Sequence, residues 1–269
     1  MAVLRRTARA YGAMMAMVPK LFMAYQIWVW MQFIVQIISL VILVSFWSAV
    51  YAGESSLSGL TLAQTLNYII LAQIFAPSTD TNMVFELGYM VRSGQIGMRL
   101  IQPLDLQLAL YVQKVSEIAL AFVFNLPLAL IGWLLFRYHV PADPLVWLAF
   151  LVSLLIGNAL LFCFDWILAC ASFYSTEVWG MGMLRYGVAL FFSGALVPLA
   201  MMPGWLRTIS TILPFSQALY TPVSLLSGIT PLSGMPRIWL AQLAALVALG
   251  ALSRFTFSRA VRQVTVQGG

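Results

Sequence analysis

Apolar and polar positions along this chain follow neither a helical nor a strand period; they form long apolar blocks separated by short polar punctuation. The first block, Leu21 to Gly53, contains no formal charge. A helix needs about 20 apolar residues to cross a bilayer, so this block is long enough to span with some tilt. It is too long for the core of a signal peptide, which is apolar over only about 7 to 15 residues. Five further blocks follow, at Leu62 to Ser78, Ile118 to Phe136, Leu145 to Phe173, Trp179 to Met202 and Ile238 to Phe257. The pattern predicts an all-α integral membrane protein with six transmembrane helices, forming one domain over residues 1–269.

Between spans five and six, residues 203–233 break the pattern. Two apolar pieces, Trp205 to Leu213 and Phe215 to Leu226, are separated by Pro214, and Pro222 interrupts the second. Neither is long enough to span. They read as two short re-entrant helices on the external side, since a broken backbone is tolerated at membrane depth only where protein or a water-filled cavity satisfies it. Residues 1–20 read as an N-terminal interfacial helix, with Leu4, Tyr11, Met14, Met15 and Val18 on one side and Arg5, Arg6 and Arg9 on another.

Charge orients the spans. Arg5, Arg6, Arg9, Lys20, Arg92, Arg99, Lys114, Arg185, Arg254, Arg259 and Arg262 fall on one face, and Arg137, Arg207 and Arg237 on the other. The excess of basic residues marks the cytoplasmic face, which predicts cytoplasmic termini, a cytoplasmic region over residues 80–108 and an external turn around His139. Composition agrees: with 62% hydrophobic and 8% charged residues there is too little polar surface for a separate water-facing domain. Cys163 and Cys170 sit in an apolar run and read as small buried hydrophobes.

Polar residues inside the blocks are the candidate chemistry. Gln32, Gln36 and Ser39 share one helical face of the first span, and Gln64, Asn67 and Gln73 lie in the second. Such a stripe is either interhelical glue or the lining of a pathway. Asp165 and Arg185 lie at matched depth in the hairpin formed by spans four and five. They read as a structural ion pair rather than a proton relay, because no deeper acids accompany them. Lys114 and Glu117, three residues apart, read as a local pair at the membrane surface.

Bond chemistry is unsupported. The sequence has no phosphate-binding loop and no dinucleotide-type glycine run. Its single histidine, His139, has no companions for a metal site, and a Ser-His-Asp geometry would need His139 and Asp165 on the same side of the membrane. The expected catalytic and metal residues are therefore none, and nothing suggests nucleic-acid binding.

Three segments resemble the membrane subunit of an ABC-2 type exporter, in the compact six-span group with antibiotic and viologen exporters. They are VRSGQIGMRLIQPLDL (Val91 to Leu106), FFSGALVPLAMMPGWL with ILPFSQALYTP (Phe191 to Leu206 and Ile212 to Pro222), and the basic N-terminal helix. The resemblance implies a permease that works with a cytoplasmic ABC ATPase dimer and a second permease, identical or homologous, in a bacterial inner membrane. ATP and magnesium would be bound by the ATPase, with no cofactor in this chain. It implies a coupling helix around Arg92, Gly94, Gly97, Arg99 and Pro103 that docks on the ATPase. It further implies a pathway lined by Gln32, Gln36, Ser39 and Asn67, and an external gate including Pro198, Pro203, Pro214 and Phe215. The cargo implied by apolar spans is amphipathic or hydrophobic. The competing readings are an ion-gradient-driven secondary transporter, which would show intramembrane acids or inverted repeats, and an accessory membrane subunit.

Overall fold

A computed structural model describes residues 11–20, 26–76, 81–175 and 177–263. The described residues are helical and contain no strand; an isolated bridge between Leu57 and Leu60 closes one turn. Helix α1 covers residues 11–20, while the arginines proposed for its polar side, Arg5, Arg6 and Arg9, lie outside the described residues. It is followed by α2 (Gln26–Val50), α3 (Leu62–Phe75), α4 (Met83–Arg92), α5 (Gln95–Leu100), α6 (Leu106–Phe136) and α7 (Pro144–Ala169). The remainder comprises α8 (Trp179–Phe192), α9 (Gly204–Ile212), α10 (Pro214–Ala218), α11 (Tyr220–Leu226) and α12 (Met235–Ala260).

Among the described residues four helices are long and apolar enough to cross a membrane: α2, α6, α7 with its short 3-10 extension, and α12. The second and fifth apolar blocks form α3 and α8, each of 14 residues. At about 1.5 Å per residue such a helix covers roughly 21 Å, short of an apolar layer about 30 Å thick. α8 stops before Gly194, which takes left-handed geometry at φ 85°, and α4 begins after Asn82, at φ 50°.

Caps set the ends of the other helices. Thr61 and Gln64 form a reciprocal capping box on α3, so Gln64 belongs to the helix start. Asp105 caps α6 and Asp143 caps α7, where Pro144 occupies the first turn and needs no amide partner. Because Asp105 starts α6 so early, that helix extends well before the apolar stretch at Ile118, and Lys114 and Glu117 sit inside it.

Helix α7 is the spine. Its Phe150 and Leu154 join a core with Tyr68, Ile69, Leu71, Phe75, Leu128 and Val223. Farther along, Phe162, Trp166 and Cys170 join a second core with Met83, Leu87, Leu110 and Val178. The region between α8 and α12 holds three short helices, α9, α10 and α11, rather than two. Leu219, at φ −121° and ψ −61°, leaves helical geometry and splits the second apolar piece. α10 and α11 pack against α7, so close that Gly157 lies on the backbone of Gln217 with no room for a side chain.

Two sets of polar contacts mark opposite ends of the bundle. At one end Arg254 near the end of α12 pairs with Asp105, and Gln107 donates to Ser253 Oγ at 2.9 Å. At the other, the main-chain amide of His139 donates to Asn67 Oδ1 at 2.7 Å. The α4–α5 turn and the end of α12 therefore belong together, away from the His139 turn.

Candidate functional site

The segment from Arg92 to Pro103 builds a short exposed helix. Gly94 adopts φ 73°, a left-handed turn that favours glycine, and reverses the chain between α4 and α5. Only Ile96 of α5 is buried; Met98 and Ile101 are 68% and 76% exposed, and Arg92 and Pro103 are also exposed. Arg99 is half-buried, and nothing within this chain crowds Gly97. An apolar tip with a basic margin, outside the long spans, is suited to docking.

Behind this loop lies a buried polar joint. Asp165 is fully buried on α7, and Arg185 of α8 donates to it through Nε at 2.8 Å and through Nη2. The hydroxyl of Thr81, just before α4, donates to Asp165 Oδ2. The Arg185 guanidinium also stacks on Phe215 of α10, with Cζ 5.5 Å from the ring centroid. Three elements and a loop thus meet at one carboxylate. Sequence reasoning brought Asp165 and Arg185 together but missed Thr81, because the STDTN run around it carries only a turn signal.

A second polar group lies between α4 and α6. Lys114 contacts Glu117 at 3.4 Å, and Gln113 donates to the same carboxylate at 3.2 Å. Glu86 on α4 feels this group. Its carboxyl is pushed up to about 7, chiefly by burial and then by the negative charge of Glu117, with Lys114 and Arg99 opposing the shift.

The polar stripe of α2 and α3 turns mostly inward. Ser39 donates to Gln73 Oε1 at 3.1 Å, and Gln73 in turn donates to the carbonyl of Ala195 at 3.2 Å. Tyr68 donates to Gly194 O at 2.9 Å, and the Trp47 indole to Leu196 O at 3.2 Å. Three consecutive carbonyls freed by the end of α8 are thereby satisfied by side chains from α2 and α3. Ser39 ties α2 to α3, and Asn67 ties α3 to the turn between α6 and α7. Gln32 is exposed, and Gln36 is half-buried with its Oε1 lacking a partner among the described residues.

The proposed gate residues occupy different places. Pro198 is buried before a 3-10 turn, Pro203 precedes α9 at the surface, and Pro214 and Phe215 are buried at the start of α10. Arg207 of α9 donates to the carbonyls of Leu199 and Ala200, closing that turn. Among the described residues no group of three or more His, Cys, Asp or Glu side chains is placed to hold a metal ion.

A family profile described as ABC-2 family transporter protein matches residues 33–268 of the chain. No curated protein matches it.

Proposed function

The chain belongs to the ABC-2 family of transporter proteins, and from that membership we propose that it is the permease of an ATP-driven exporter whose ATP is hydrolysed by a separate subunit. It is a multi-pass membrane protein by its long apolar helices. In this reading the second and fifth apolar blocks supply two further crossings. The termini and the α4–α5 turn face the cytoplasm of a bacterial inner membrane. Two copies, or this chain and a homologous one, enclose a path for an amphipathic or hydrophobic cargo, and α9 to α11 form the external closure.

The observation that carries this reading is α5. Its Met98 and Ile101 are strongly exposed on a segment too short and too polar to enter the membrane by itself. Such a tip is stabilised by a protein groove, and Arg92 and Arg99 would complement an acidic rim on the ATPase. ATP binding that closes the ATPase dimer would then move α5 and bias the permease between inward and outward states.

The test is purification of the tagged chain from its native membrane, followed by assay of any associated ATPase. The expected result is a bound ABC ATPase whose coupling to cargo efflux is lost in Gly97→Trp and Arg99→Glu, with insertion unchanged. Cargo transport by the chain in vesicles without any ATPase would overturn the reading.

A further inference from the structure

Helix α8 is held in an unusual way for an element in the middle of a fold. Gly182 is its only buried residue, and Trp179, Met183, Leu184, Tyr186, Leu190 and Phe191 face outward. Its inner half is fitted to α4 by two reciprocal contacts. Gly88 of α4 receives Val178, and Gly182 of α8 receives the ring of Phe85; neither glycine has room for a Cβ. Arg185, one turn on, joins the same place to Asp165 and Thr81.

The outer half makes a different set of contacts. Val188, Ala189 and Phe192 pack against Phe215 and Ala218 of α10. Immediately beyond α8 the carbonyls of Gly194, Ala195 and Leu196 are held by Tyr68, Gln73 and Trp47. α8 therefore touches α4, which leads directly into the exposed α5, at one end, and the segment formed by residues 193–218 from Arg185, over Phe215, to its other end. Within this chain α8 is gripped through Gly182 and Arg185 in one half and through Val188, Ala189 and Phe192 in the other, so a displacement of α4 is carried along a rigid helix to α10.

We propose that α8 is the transmission element of this permease, relaying movement of the α4–α5 turn to residues 193–218, with Gly182 and Arg185 as positioning residues. The inference rests on the exporter reading and adds to it the route between its two ends. Overfilling the Gly182 socket would part α8 from α4 without touching α5 or α9. Loss of communication should then occur with ATPase docking intact.

The experiment uses the full permease–ATPase complex. Spin labels at Val140→Cys and Thr208→Cys, both exposed, report displacement of α9 against the α6–α7 turn, in a background carrying Cys163→Ala and Cys170→Ala. Nucleotide should shift the label distance in the parent protein. Gly182→Leu should abolish that shift while the ATPase stays bound and retains basal hydrolysis. Adding Phe85→Ala, which reopens the socket, should restore it. A shift that survives Gly182→Leu, or one that Phe85→Ala fails to restore, overturns the proposal. A parent complex that copurifies no ATPase sinks the exporter reading and this inference with it; a bound ATPase with no distance change on nucleotide sinks the relay alone.

Discussion

The guanidinium of Arg185 lies over the ring of Phe215, although one residue belongs to the first half of α8 and the other to a segment whose sequence reads as external. The contact is reached because α10 packs along α7 down to Leu161 and Phe164. The start of α10 thus covers the ion pair and lowers its exposure. Asp165 is fully buried as a result, so its charge depends on partners within the fold.

That dependence fixes the response to charge removal. Asp165→Ala or Arg185→Ala leaves one buried charge unpaired, which costs about 3–5 kcal/mol. The exchanged pair, Asp165→Arg with Arg185→Asp, should recover part of the loss. Thermal unfolding of the purified protein across the double-mutant cycle is the measurement; strictly additive losses would show that the two groups do not interact.

Gly194 offers a backbone test. It sits at φ 85°, and a Cβ there would lie 2.6 Å from the Tyr68 hydroxyl. Gly194→Ala should therefore destabilise by about 1–3 kcal/mol. Gly250→Ala, in the open face of α12 with nothing near its Cβ, should be neutral or stabilising by up to about 1 kcal/mol. Equal melting temperatures for the two variants would contradict the clasp on residues 194–196.

Glu86 carries a pH dependence of definite sign. Its carboxyl rises from 4.5 to about 7 through burial and the charge of Glu117, so between these values the folded protein holds more protons than the unfolded chain. Its contribution to stability is present below about 4.5 and is lost as pH rises through about 7. Melting temperature should fall over that interval, and Glu86→Gln should flatten the fall. An unchanged slope in Glu86→Gln would assign the dependence elsewhere.

Long apolar runs with few charges made α2, α6, α7 and α12 legible from sequence, because a spanning helix is what accommodates such a run. The early end of α8 was hidden, since Gly194 acts through a backbone angle and adds no charge. Ser39 and Asn67 illustrate the limit of a polar stripe. The shared face of Gln32, Gln36 and Ser39 was readable, but the partners of Ser39 and Asn67, Gln73 and the His139 amide, come from elements that only tertiary packing brings near. Thr81 was invisible for the same reason. Phe215 was readable as a residue near an external closure and not as the lid on a buried ion pair.

Chain order gives the Thr81 contact a meaning during biogenesis. The ribosome delivers α7, with Asp165, before α8 exists, so the carboxylate enters the membrane without Arg185. Thr81 has already been made. Its hydroxyl is a partner that Asp165 can meet before Arg185 is made, and an aspartate within a spanning helix costs up to about 3 kcal/mol on insertion scales, the value at the helix centre. Thr81→Val should accordingly reduce the fraction of newly made chains that integrate far more than it lowers the melting temperature of those that do. Pulse labelling of nascent protein in membranes, set beside thermal unfolding of the mature form, separates the two; equal effects on both would remove Thr81 from the insertion step.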